Sequence, residues 1–211
     1  TAYGSLLALG KGGYALPSIT VTPLSGAYTF SGNVASSAQG QLSGEAHFNT
    51  RDIAPLLPRG EASGAVKADV TLTGTRDAPA AHLVASLADG AVNGVKTGNL
   101  SADIRAVTGG SGALSIRYNG EPGLASLDAQ LTLPGEGGAR LDAIDGAVFG
   151  GKLTGLVALD KAGLITATIN GEHINLASVG DFSGLPLNGV GDLAATAAPA
   201  NGKQSASLIF K

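Results

Sequence analysis

The chain has 211 residues, 14% of them charged, and a formal net charge of −3. Its 13 Lys and Arg are scattered, leaving no basic stripe for nucleic-acid phosphates and no cluster suited to an anionic membrane surface. Cysteine is absent, which excludes disulfides and thiolate metal sites.

Methionine is absent too, so Thr1 is not expected to be a translation start, and the chain reads as a processed or excised piece. It shows no signal peptide and no apolar run near the ~18 residues of a membrane span. Any anchor is expected outside this piece. Glycine contributes 33 residues and aromatics only 4%, so the 44% hydrophobic fraction leans on alanine. Five Phe and four Tyr are too few for the aromatic girdles of a transmembrane barrel.

Taken in chain order, alternation predicts strands over residues 18–22, 27–34 and 41–48, then 64–73, 81–88, 91–96 and 98–107. It continues over 112–119, 124–133, 139–144, 147–150, 152–159 and 163–169, and ends with 190–197 and 204–210. The clearest case is 70–106. Val70 and Leu72 alternate with Thr71 and Thr73, and Leu100, Ala102, Ile104 and Ala106 alternate with Ser101, Asp103 and Arg105. A period of two gives each strand one apolar and one polar face. Asn-Gly or Asp-Gly pairs at 89–90, 93–94, 119–120, 145–146, 170–171, 188–189 and 201–202 read as tight hairpin turns. The stretch PGEGG at 134–138 reads as a hairpin loop rather than a domain boundary.

Two segments break the strand pattern, RDIAPLL at 51–57 and NLASVGDF at 175–182. Asp52 and Asn175 are placed to cap a single helical turn in each. Their surroundings match: HFNTRDIAPLL begins at His47 and HINLASVGDF at His173, followed by strand starts at Gly64 and Gly189. This suggests one structural unit used twice, over 40–107 and 140–197, within a single segment spanning 1–211.

Catalytic patterns are missing from the sequence. His47, His82 and His173 have no partner at metal-ligand spacing and read as strand-face or turn residues. GKGG at 10–13 and GGKL at 150–153 lack the spacing of a phosphate loop, and there is no GxSxG elbow. Asp142 and Asp145 are expected on different faces, as solvated charges rather than an acid–base or Ca²⁺ pair. Thr1 as a nucleophile and the Asn99-Leu100-Ser101 sequon carry no weight. The expectation is a protein that is not an enzyme and takes no cofactor or metal.

Residues 60–107 hold a strand, a turn and a strand in ADVTLTGTRDAPAAHLVASLADG, with Gly74, Thr75, Ala78 and Pro79 in the turn. RDIAPLLPRGEASG precedes it, and HINLASVGDFSGLPLNGVGDLAATA follows downstream. This combination resembles the TamB family, within the broader AsmA-like group, over roughly 40–107 and 140–197. The resemblance implies an all-β fold: an elongated, curled, antiparallel-rich sheet forming an open groove, with one or two short helical turns. It further implies a periplasmic segment of an inner-membrane-anchored protein that extends toward the outer membrane and moves phospholipid, held by its acyl chains, between the two membranes. It also implies an outer-membrane barrel partner for the parent protein, in surface-protein assembly.

On that reading the lipid-lining candidates are Val66, Val70, Leu72, Leu83, Leu87, Leu100 and Ile104, then Leu114, Ile116, Leu127, Leu131 and Leu133. Leu153, Val157, Leu159, Ile165 and Ile169 complete the set. An open sheet also exposes edge strands, so edge-strand self-association is expected. The alternative is a Gly-rich β-helix or adhesin-type surface protein, against which the long, uneven spacing of the Asn-Gly and Asp-Gly pairs argues. A hydrolase on a β scaffold ranks last.

Overall fold

Alternating side chains with small residues at every few positions favour long antiparallel strands joined by short connections. The computed structural model describes residues 2–4, 7–10, 13–22, 28–56, 62–92, 95–120, 123–134, 137–183, 186–200 and 203–211. The fold is all-β and antiparallel, with one short helix and one 3-10 turn among the described residues.

Contacts divide the chain into two units, residues 1–108 and 109–211. The first contains β1 (Ala2–Gly4), β2 (Leu7–Gly10), β3 (Gly13–Val21), β4 (Tyr28–Ser36), β5 (Leu42–Thr50), β6 (Ala62–Gly74), β7 (Pro79–Val92) and β8 (Val95–Val107). Strands β3 to β8 pair each with the next, and β1 and β2 both pair with β3. The second contains β9 (Ser111–Gly120), β10 (Gly123–Thr132), β11 (Ala139–Val148), β12 (Gly151–Leu159), β13 (Ile165–Asn175), helix α1 (Leu176–Ser183), β14 (Val190–Ala200) and β15 (Lys203–Phe210). It too is a consecutive meander. Within neither unit do the first and last strands pair among the described residues, so neither is a closed barrel. A β-helix needs parallel rungs, and every described pairing is antiparallel.

Several of the expected turns lie inside strands. Asp89-Gly90 sits within β7 as a bulge, with Asp89 at φ 51° and the register shifting between Leu87 and Gly90. The strand expected over 91–96 does not stand alone, since 91–92 belong to β7 and 95–96 to β8. Asp145-Gly146 lies within β11 and merges the two short strands expected at 139–144 and 147–150. Asn170-Gly171 lies within β13. The glycines serve close approach rather than a turn. A Cβ on Gly146 would lie 2.5 Å from the Ser126 carbonyl oxygen, and one on Gly171 3.2 Å from Leu193 Cβ. The β11–β12 turn falls instead on Phe149-Gly150, both at positive φ (49° and 75°), as a two-residue hairpin turn of right-handed twist requires. The pairs at 93–94 and 201–202 lie outside the described residues.

The two strand-breaking segments do fold as turns of helix. Asp52 Oδ1 accepts from Ala54 N at 3.0 Å at the start of the 3-10 turn Ala54–Leu56, and from Gly64 N at 3.1 Å. Asn175 Oδ1 accepts from Ala177 N at 3.0 Å and Ser178 N at 3.3 Å at the start of α1. In each, a backbone N–H just past the strand reaches the start of the next one: Ile53 N to Gly64 O and Leu176 N to Gly189 O, both 2.9 Å. Both glycines have positive φ, 128° and 98°.

Buried hydrophobic side chains among the described residues are Ala129, Ile144 and Ile174, all in the second unit. An antiparallel sheet ordinarily packs its apolar face on a second layer. Here the apolar faces stay half-exposed.

Candidate functional site

Register turns the alternation into rows. In the first unit one row reads Leu16, Val34, Gly44, Leu72, Ala81 and Ala106 across β3 to β8. The next reads Ile19, Gly32, Ala46, Val70, Leu83 and Ile104, and a third Val21, Phe30, Phe48, Ala68, Ala85 and Ala102. A fourth runs from Tyr28 through Thr50, Val66 and Leu87 to Leu100. These rows make one apolar face. The candidates Val66, Val70, Leu72, Leu83, Leu87, Leu100 and Ile104 all stand on it. Leu100 is 38% exposed and the rest half-buried.

The second unit repeats the arrangement. Leu114, Ala129, Ile144, Gly155, Ile169, Ala195 and Leu208 form one row, and Ile116, Leu127, Gly146, Leu153, Gly171, Leu193 and Phe210 another. Leu131 and Val157 join a third through Leu141, and Leu159 pairs with Ile165 on the same face. Leu133 follows β10 in the same alternation and pairs its backbone with Gly109 and Gly110. The structure thus brings the candidates of each unit onto one face of that unit.

The first unit's face holds a well of about 290 Å³ that sequence reasoning missed. Leu16, Ile19, Phe30, Val34, Val70 and Leu72 wall it, and Gly32, Gly44 and Ala46 form its floor. The floor is low because two diagonal neighbours carry no side chain. A Cβ on Gly32 would lie 2.6 Å from the Glu45 carbonyl oxygen, and one on Gly44 2.7 Å from that of Asn33. The signal was present as Phe30 and Val34 in β4 and Ala46 and Phe48 in β5, but the glycines interrupt the apolar alternation. Tyr28 and Phe48 extend the wall, ring centroids 5.7 Å apart.

At one end of the well the turn after β6 folds back across the neighbouring loop. Thr75 Oγ1 accepts from Ala78 N at 3.1 Å, closing the turn. Arg76 N donates to Gly40 O at 2.9 Å, its Nε to Ser36 Oγ at 2.6 Å and its Nη2 to Ser37 O at 3.3 Å. The guanidinium lies over the Tyr14 ring, 5.3 Å from its centroid. Ser36 is fully buried beneath it.

The opposite faces carry the charge. In the first unit His47 Nδ1 lies 2.6 Å from Asp69 and His82 Nε2 3.0 Å from Asp103. In the second, Asp128 stands directly opposite Asp145, an unfavourable like-charge pair. Arg117 Nη2 donates to both oxygens of Asp128, at 3.0 and 2.8 Å, and Lys152 Nζ lies 3.8 Å from Asp145. Hydrogen bonding from Ser115, then from Arg117, holds the Asp128 carboxyl below the ordinary carboxylate range. The bulge at Ala143 corrects one expectation. Asp142 pairs with Gln130 and Asp145 with Asp128, which share a face of β10, so the two aspartates face the same side. Asp142 is held by Arg140 Nε at 2.7 Å. His173 stands in β13 at φ 56°, its N–H donating to Asp192 Oδ1 at 3.0 Å. Among the described residues, no group of three or more His, Asp or Glu is arranged to hold a metal ion. No described helix is long and apolar enough to cross a membrane.

No family model matches this chain, and no curated protein or solved structure matches it either.

Proposed function

We propose that the chain is a segment of a periplasmic lipid-carrying sheet, akin to the TamB family, that accommodates phospholipid acyl chains on its apolar faces and performs no chemistry. The observation behind this reading is the set of mainly apolar rows, most of whose large side chains remain half-exposed. Covering such a surface with acyl chain gains ~0.8 kcal/mol for each methylene removed from water. The attraction is non-directional, so it holds a chain without fixing its register along a row. Alanines such as Ala85, Ala102 and Ala129 keep the surface low between the larger side chains. A barrel partner and passage between two membranes belong to the same proposal and rest on the resemblance of residues 40–107 and 140–197.

Native mass spectrometry of the protein purified without detergent tests the proposal. Phospholipid that co-purifies, or is taken up from vesicles, and is lost in Ile104→Asp and Leu131→Asp is the expected result. A lipid-free mass with no uptake from vesicles would overturn the reading.

A further inference from the structure

The glycine-floored well and the Arg76 turn are contiguous on one face. Tyr14 pairs with Ser36 and Leu16 with Val34, so Tyr14 and Ser36 stand on the same face as the well residues Leu16 and Val34. They lie two residues further along their strands, roughly 7 Å. Arg76 reaches the side chains of both, through its 2.6 Å hydrogen bond to Ser36 Oγ and its position over the Tyr14 ring. Backbone and side-chain bonds to Gly40 and Ser37 fix where it sits. A guanidinium therefore stands at a set end of an apolar trough, on the trough's own side of the sheet.

An apolar well alone would admit any greasy segment. A cation fixed at one end selects an amphiphile with its anion at the matching end, and the guanidinium fork is suited to phosphate oxygens. We propose that the well and Arg76 form a single station for a glycerophospholipid, with an acyl chain along Phe30, Val34, Val70 and Leu72 and the phosphate at Arg76. This rests on the lipid-carrying reading and adds to it a site, a polarity and a headgroup. Elsewhere on the rows a chain slides; here it would pause with its headgroup toward the 37–41 and 75–78 loops.

The test compares dioctanoyl phosphatidate with dioctanoylglycerol by calorimetry on the full chain, alongside octanoate. The native protein is expected to bind phosphatidate about tenfold more tightly than diacylglycerol, as one charge-assisted contact would give. Arg76→Gln should abolish that preference, with the larger loss falling on phosphatidate, and Arg76→Lys should keep part of it. Ala46→Leu, which fills the well, should weaken both lipids.

Equal binding of the two lipids, or equal losses in Arg76→Gln, would overturn the headgroup assignment and leave the lipid-carrying reading standing. Failure of both lipids to bind would overturn both. Octanoate binding as tightly as phosphatidate, with the same dependence on Arg76, would overturn the choice of phosphate. Should Arg76→Gln not fold, salt decides on the native chain. The station requires phosphatidate affinity to fall with ionic strength while diacylglycerol affinity holds, and parallel behaviour would overturn it.

Discussion

At the scale of single residues, the sheet depends on where a Cβ can and cannot stand. Ala143 sits at φ 48°, a left-handed conformation costing roughly 1–2 kcal/mol for a residue with a Cβ, and its side chain is exposed. Ala143→Gly relieves the strain and loses no packing. Its net gain should reach about 1 kcal/mol once the freer unfolded chain is counted, read as a higher urea midpoint. Gly44→Val works in the other direction. Its Cβ would sit 2.7 Å from the Asn33 carbonyl oxygen, a backbone atom that cannot move aside cheaply, so a loss of about 3 kcal/mol is expected. Asp128 supplies a pH dependence. Its folded pKa is lowered, so its contribution is complete above about pH 4 and is lost as pH falls through the folded value. Arg117→Leu removes one cause of that lowering. Stability followed from pH 7 to strongly acid solution should start lower in the variant and fall less steeply, and the two curves should converge in acid. Parallel curves would mean that Arg117 does not set the carboxylate's acidity.

At the scale of elements, an Asx-capped helical segment follows both β5 and β13, the 3-10 turn Ala54–Leu56 in one case and α1 in the other. Asn175→Ala strips α1 of its acceptor for two backbone N–H groups and should cost about 1 kcal/mol in thermal or urea unfolding. Asp52→Ala should cost at least as much, because Asp52 also holds Gly64 N at the start of β6. An Asn175→Ala protein as stable as the native one would show that strand pairing alone sets the geometry of α1. These caps were legible in the sequence because capping is local: an Asx residue ahead of a short apolar run specifies its own hydrogen bonds. Strand identity was equally legible, since period two needs no knowledge of partners. Glycine was not. Gly90, Gly146 and Gly171 read as turns beside Asp or Asn, but they lie inside strands, where Gly90 sits at a register shift, Gly146 meets a backbone oxygen of the neighbouring strand and Gly171 is crowded by Ile174 and Leu193. Bulges were invisible for a related reason. Asp89 and His173 take left-handed conformations in which their N–H groups are accepted by Asn99 and Asp192, residues of the facing strand. The well escaped notice because its floor is defined by missing side chains, and the Arg76 contact because it joins residues separated by 40 positions.

At the scale of the whole molecule, the two units share one energetic peculiarity. Their stability comes mainly from strand pairing and from apolar side chains that bury against neighbours in the same row, with few residues removed from water completely. Denaturant sensitivity scales with the surface newly exposed on unfolding, and so does the heat-capacity change. A chain whose apolar faces are already half-exposed has less surface left to reveal. Its heat-capacity change should therefore fall below the ~12–15 cal/mol/K per residue of ordinary globular proteins, and its urea m-value below that of a packed domain of equal length. Calorimetry and urea titration over a range of protein concentrations separate the possibilities. Low values independent of concentration would match uncovered faces. Ordinary values that rise with concentration would mean copies of the chain cover one another, as an open edge or an apolar face invites. Ordinary values at every concentration would mean that each face is covered within its own chain in solution, and acyl chains would have no surface to occupy. If the faces are uncovered, saturating phospholipid should raise the unfolding temperature by mass action, since it binds the folded sheet and loses its surface on unfolding.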